Sequence, residues 1–281
     1  MKNPRPTCPN EACVNHSDPP ADFYWKKGYR VTKHNGQKVP RYQCKTCLTS
    51  FCATRTKPHK QHHRPDLNRR ILQMAVSGVT FRRMAVILDC HPVTITRKIR
   101  YLARQAEAVH KDHLATIQTT YVMMDELETF MHSRMKQLSV PMVIRAKTGE
   151  VLAFDVARKP SNQPKGRTLY QWHVDERPKV MRRVLLRIRP ALAPGATIAT
   201  DGNASYRKWI TANLPGVRHT TLSTPHDDGF DPLFAINHTF AKMRNDLARL
   251  GRKTWTTSKT IDGLRDHLWL WTAWKNGYDL R

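Results

Sequence analysis

Four cysteines near the N-terminus constrain this chain more than any other feature. Cys8 and Cys13 have four residues between them ("CPNEAC"), Cys44 and Cys47 have two ("CKTC"), and about thirty residues separate the pairs. Two close pairs at that separation have the layout of a zinc ribbon, in which two knuckles give four thiolates to one tetrahedral Zn²⁺. The intervening "FYWKKGYRVTKHNGQKVPRYQ" predicts a hairpin, with aromatic and β-branched residues flanking a turn at "HNGQ". A segment this small cannot fold on its own core. The metal would therefore supply most of its folding energy, on the order of 10 kcal/mol. Four thiolates leave no open position, so this zinc is expected to be structural rather than catalytic. Four buried free cysteines are the competing reading. Cys52 lies outside the spacing and reads as a spare thiol, and nothing in the spacing favours His16 over Cys13.

The rest of the chain is long enough, at 281 residues in all, for two or three domains with a sizeable core in at least one. Its 48 Lys and Arg against 22 Asp and Glu leave a formal charge of +26. Such an excess repels itself unless a polyanion neutralises it, and nucleic acid is the expected partner. An anionic membrane surface is the alternative, but no apolar run is long enough to span a bilayer and no lipidation motif is present. The polar N-terminus "MKNPRPTCPN" lacks the apolar core of a signal peptide. A cytoplasmic, reducing location is therefore expected, where cysteines serve as metal ligands or free thiols rather than disulfides.

A basic linker, "RTKPHKQHHRPD", precedes three helical segments. "PDLNRRILQMAVSG" has Pro65 and Asp66 near its start and Gly78 near its end. "TFRRMAVILDC" has Thr80 as its N-cap. "HPVTITRKIRYLARQAEAVH" has Pro92 early and an expected apolar stripe of Val93, Ile99 and Leu102. A short helix, a tight turn and a longer basic helix make the helix-turn-helix pattern. The third helix would read DNA through Thr94, Thr96, Arg97 and Arg100. An ordinary three-helix bundle with a solvated basic face would show the same pattern.

From Thr119 the pattern changes to three strands, helix, strand, helix, strand and two helices, which implies an α/β domain with a mixed sheet. Asp125 interrupts an apolar strand, and alternation turns Glu126 and Glu128 away from it. Asp201 ends the strand "IATDG", where ligands of α/β sheets bind; a helix-capping aspartate is the bland alternative. In "FAINHTFAKMRNDLARLGRK", Phe234 to Lys253, the residues Ile236, Phe240, Met243, Leu247 and Leu250 recur at helical spacing. Asn237 and Arg244 form a polar ridge beside that stripe, about two turns apart.

The stretches "MDELETF", "TDGNASY" and "INHTFAKMRNDLARLGRKTWTTSKT" carry a family resemblance, as do "RYQCKTC" and "ILQMAVSGVTFRRMAVIL". The chain resembles DDE transposases of bacterial insertion sequences, most closely the insertion-sequence-one group. "LARLGRK" followed by "TSK" is its most specific piece. The resemblance implies a multidomain α/β protein: a zinc ribbon over 1–56, a helix-turn-helix over 57–115 and a ribonuclease-H-like mixed-sheet catalytic domain over 116–281. It implies Mg²⁺-dependent phosphoryl transfer, with two ions about 4 Å apart bridged by Asp125. Asp201 and Asn237 would complete the metal shells, and Arg244 would hold a phosphate oxygen. Terminal inverted repeats and target DNA are the implied partners, with at least a dimer to join two element ends.

One departure concerns Asn237, which stands where that group is expected to carry a glutamate. Some related transposases use asparagine there, and an amide oxygen is a competent Mg²⁺ ligand. Asp227, Asp228 and Asp231 lie just before the helix and are alternative donors, and His238 is adjacent. Asp246 falls on the opposite helical face. Two rival functions remain at this level: a zinc-ribbon and helix-turn-helix regulator whose C-terminal half only binds or dimerises, and a nuclease of the same fold that cuts without joining.

Overall fold

The computed structural model describes residues 6–31, 36–52, 64–222 and 231–280. Asp227 and Asp228 therefore lie outside the described residues. The chain divides into two compact units, Met1–Asp66 and Leu67–Arg281.

The first unit contains a three-stranded antiparallel sheet: β1 (Tyr24–Val31), β2 (Lys38–Cys44) and β3 (Ser50–Cys52). Its small core consists of Phe23 and Phe51, stacked with ring centroids 6.0 Å apart, together with Cys8, Cys13 and Cys44. Most of β1 is exposed, as expected of a segment too small to bury a core of its own.

The second unit opens with α1 (Asn68–Ala75), α2 (Phe81–Ile87) and α3 (Pro92–Thr116). The Thr80 hydroxyl accepts the Arg83 amide at 3.3 Å and caps α2. His91 Nδ1 accepts the Val93 amide at 3.2 Å and caps α3, with Pro92 preset for the first turn. The buried stripe of α3 runs Ile95, Ile99, Leu102, Ala106. Val93 is 45% exposed, contrary to its expected place in the stripe. The reason is phase: Ile95 is one turn before Ile99, whereas Val93 is about 120° around the helix from Ile99.

A mixed sheet follows, of β4 (Thr119–Met131), β5 (Ser133–Arg145), β6 (Val151–Phe154), β7 (Ala157–Arg158), β8 (Leu192–Thr200) and β9 (Arg218–Thr221). Its strand order is β6-β5-β4-β8-β9, with β7 pairing on β5. β5 is antiparallel to β4 and β6, whereas β4, β8 and β9 are mutually parallel. The helices are α4 (Pro164–Leu169), α5 (Arg177–Ile188), α6 (Ala204–Asn213), α7 (Phe234–Asp246) and α8 (Ile261–Lys275).

Alternation along β4 sorts its side chains between two cores. Val122 and Met124 pack in a cluster with α5 and α6 residues such as Val184 and Ile210. Met123 and Leu127 face the other way, into a cluster that also holds Ile99, Phe240 and Trp271. The three N-terminal helices thus share a core with α7, α8 and one face of the sheet. The Asp155 carboxylate, just after β6, clamps two of the helices by accepting from Arg183 on α5 and Arg265 on α8, each at 2.8 Å.

The apolar stripe expected of α7 is buried throughout: Ile236, Phe240, Met243, Leu247 and Leu250 are all at most 5% exposed. The α-helix itself stops at Asp246, earlier than the stripe suggests. Leu247 is extended, and Ala248–Leu250 form a 3-10 turn that keeps the last leucine inward.

Candidate functional site

Two groups of side chains in the structure have the makings of a site. The first lies in the N-terminal unit. The sulfur atoms of Cys8, Cys13, Cys44 and Cys47 all lie within 4.8 Å of one another, a set that can hold a zinc ion. Cys8 and Cys47 are 3.4 Å apart and Cys13 and Cys44 3.8 Å. Asn15 Nδ2 donates to Cys44 Sγ at 3.4 Å, the kind of outer contact that orients a thiolate ligand. The hydroxyl and amide of Thr49 draw the Cys47 thiol down to about 6, which favours the thiolate that metal needs. His16 points elsewhere, its Nδ1 lying 2.7 Å from the Cys8 carbonyl oxygen. Cys52 is outside the group.

The second group sits where the C-terminal end of β8 lies beside the middle of the neighbouring parallel strand β4. Met123 pairs with Ala199, so continuing the register brings Asp125 level with Asp201. Asp125 Oδ1 accepts the Glu126 amide at 2.7 Å and the Tyr206 hydroxyl at 3.3 Å. Asp201 Oδ1 accepts the Asn203 amide at 3.0 Å. Among the described residues the Oδ2 atom of each aspartate has no hydrogen-bond donor. Burial pushes the Asp125 carboxyl up to about 6, the Glu126 amide opposes the shift, and the negative charge of Asp201 adds to it.

Asp201 is not a helix cap. Asn203 caps α6 through its side chain, accepting the Ser205 amide at 3.0 Å. Glu126 turns toward α5, as alternation requires. It accepts the Ser139 hydroxyl at 2.6 Å, with Arg177 at 4.0 Å. Glu128 pairs with Lys159. Tyr206 is the neighbour that sequence reasoning missed. It belongs to the α6 side of the sheet, yet reaches Asp125 because β8 stops at Thr200 and leaves the strand end open. "TDGNASY" carries it five residues after Asp201, but no local periodicity marks it as a partner of a residue 81 positions away.

Asn237 is exposed on the first turns of α7, and its Nδ2 donates to Asp231 Oδ2 at 2.8 Å. Neither is a hydrogen-bond partner of Asp125 or Asp201. Among the described residues, the cysteines are the only three or more His, Cys, Asp or Glu side chains gathered as a metal-ligand set. Arg244 lies two turns on and is partly buried, which with the nearby charge of Arg252 lowers its pKa, while Glu128 opposes the shift. Asp246 accepts the Trp271 indole N–H on Oδ2 at 2.9 Å and the Asn245 side-chain amide on Oδ1 at 3.2 Å, so both of its oxygens are engaged. His238 stacks on Phe234 with centroids 5.5 Å apart.

On α3, Thr96 and Arg97 are exposed, Thr94 is partly buried, and Arg100 lies 3.8 Å from Asp266 of α8. No described helix is long and apolar enough to cross a membrane. No protein-family model matches this chain, and a search of curated proteins finds no relative.

Proposed function

We propose that this chain is an insertion-sequence transposase that binds terminal inverted repeats and performs Mg²⁺-dependent DNA strand cleavage and transfer. The observation carrying this reading is the pair Asp125 and Asp201, one in mid-β4 and the other just past the end of the adjacent parallel β8, each with one uncommitted oxygen. The strand order, with a meander of three antiparallel strands followed by two parallel ones on the far side, supports a ribonuclease-H-like domain.

The donor set fits a hard divalent cation. Two carboxylates that repel one another and are partly desolvated gain from a shared positive charge, and oxygen is the ligand Mg²⁺ prefers. Bound there, Mg²⁺ would supply Lewis-acid charge at a scissile phosphate. Asp125 and Asp201 would hold it through their free oxygens, while the Tyr206 hydroxyl fixes the Asp125 carboxylate. Asn237 or its partner Asp231 would add a third oxygen. Arg244, which has no ion-pair partner among the described residues, is suited to hold a phosphate oxygen. The zinc-binding cysteines would support an end-binding module, and the exposed face of α3 would contact DNA.

The test is a supercoiled plasmid carrying the element's own ends, incubated with purified protein and Mg²⁺. Nicking at the repeats and joined strand-transfer product are expected. Both should vanish in Asp125→Ala and in Asp201→Ala. Cleavage that survives either change overturns the reading, and cleavage without joining favours a nuclease.

A further inference from the structure

The most specific piece of the chain's C-terminal motif, "LARLGRKTWTTSKT", shapes a cavity that the aspartate pair does not use. A cavity of about 460 Å³ lies between the start of α2, the loop from Ala248 to Lys259, and His267 of α8. That size is in the range of small-ligand sites. Arg82, Arg249 and Lys259 contribute cations to its wall, and among the described residues no carboxylate lines it. Its basic character is built rather than incidental. Arg249 is sunk beside the Phe81 ring, 4.9 Å from the centroid, and anchored by donating Nη1 to the Gly263 carbonyl at 2.7 Å.

Two further side chains shape the cavity. His267 closes its inner wall: it is buried, and its Nε2 donates to the Ala75 carbonyl at 2.7 Å. With that imidazole shut off from solvent, the cations and the rim indole are the groups a ligand meets.

Trp255, on the cavity's rim, is 97% exposed. It is nonetheless held by a fastened loop. The Thr256 hydroxyl donates to the Ala248 carbonyl at 2.6 Å, and the His132 amide donates to the Ser258 carbonyl at 2.9 Å. Ser258 also bridges to Met131, the last residue of β4, so the loop is tied to the strand that carries Asp125. An indole standing free in solvent on a fastened loop, beside an anchored cation, is the pairing used to hold an unstacked base and its phosphate.

We infer that this cavity docks an unpaired nucleotide of a DNA strand, with its base on Trp255 and its phosphate between Arg249 and Lys259. The inference rests on the proposed function only in taking DNA as the partner.

The experiment compares zinc-loaded, full-length protein on a blunt duplex and on the same duplex with a short single-stranded thymidine extension. Wild type should bind the extended duplex more tightly. Trp255→Ala, at an exposed position that folding does not need, should weaken that binding about 5- to 150-fold and leave blunt-duplex binding unchanged. Trp255→Phe should retain most of the preference, and Lys259→Ala should reduce it. Equal effects of Trp255→Ala on the two duplexes, or none on either, overturn the proposal. Wild-type protein that nicks with Mg²⁺ but binds the two duplexes equally would remove this site alone. An intact preference without nicking would remove the transposase reading alone.

Discussion

The side-chain amide of Asn237 donates to the carboxylate of Asp231 at 2.8 Å, so the two rival candidates for a third metal donor are bonded to each other. Asp231 also accepts the Leu233 amide at 2.9 Å and so organises the entry to α7. Replacing Asp231 with Ala should therefore lower stability by about 1 kcal/mol, whereas Asn237→Ala should cost less. Asn237→Asp would set two carboxylates at hydrogen-bond distance, and a divalent cation would relieve their repulsion. Mg²⁺ titration followed by thermal melting should show tighter binding in Asn237→Asp than in wild type. Identical Mg²⁺ affinities would exclude both residues from the metal shell.

Asp125 is costly to the metal-free protein. Burial and the neighbouring Asp201 both oppose its negative charge. Asp125→Asn should raise the melting temperature in chelator at neutral pH. Mg²⁺ should raise it in wild type and leave the variant unmoved. A variant that melts below wild type would mean the carboxylate is a structural element rather than a charged group held for a ligand.

The N-terminal unit should contain one zinc per chain. Cys44→Ser or a strong chelator should unfold this unit, because the sulfur cluster accounts for much of its small core. The melting of residues 67–281, a separate compact unit, should persist. Cys52→Ser should keep its full metal content. Zinc-free protein with an intact N-terminal fold would refute the metal site.

Arg97 and Arg100 should differ, although both are exposed on α3. Arg100 already has Asp266 at 3.8 Å, and separating that pair offsets part of any gain from DNA. Arg97→Ala should weaken DNA binding more and reduce the salt slope by about one. Anisotropy titrations over a range of salt would measure both, and a larger loss from Arg100→Ala would reverse the assignment.

Acid should destabilise the second unit through two buried histidines. Burial lowers His110 to about 4 and His267 to about 3, against about 6.5 in the unfolded chain. The unfolded state therefore binds more protons in between. Stability is fully present above about pH 6.5 and falls as pH drops toward 4. His110→Gln should flatten that slope in denaturant melts between pH 7 and 5, and an unchanged slope would place its origin elsewhere.

Features with a local period were legible from the sequence. The α7 stripe, the Thr80 cap and the turn of Glu126 away from Asp125 all follow from helix or strand spacing, and the cysteine pairs follow from metal geometry. Contacts distant in sequence were not legible. Tyr206 reaches Asp125 only because β8 ends where it does. Arg100 meets Asp266 only because α3 packs on α8. The polar ridge shows the same limit: helical spacing predicts Asn237 and Arg244 on one face, but the partner of Asn237 comes from the segment before the helix. The short α4 carried no expectation, being a six-residue helix started by Pro164 without an amphipathic stripe.

α3 runs without interruption from Pro92 to Thr116, and β4 begins at Thr119. Only Ile117 and Gln118 separate a 25-residue helix from the strand bearing Asp125. The helix is further fixed to the sheet region where His110 meets the Leu152 carbonyl at 2.8 Å. Whatever the exposed turns near Thr96 and Arg97 grip is held at a set angle and distance from Asp125, as by a handle forged in one piece with its blade. Exchanging those turns for others would re-aim the bound molecule at the aspartates as well as change what is bound. The altered partner would have to suit both ends of the same rod.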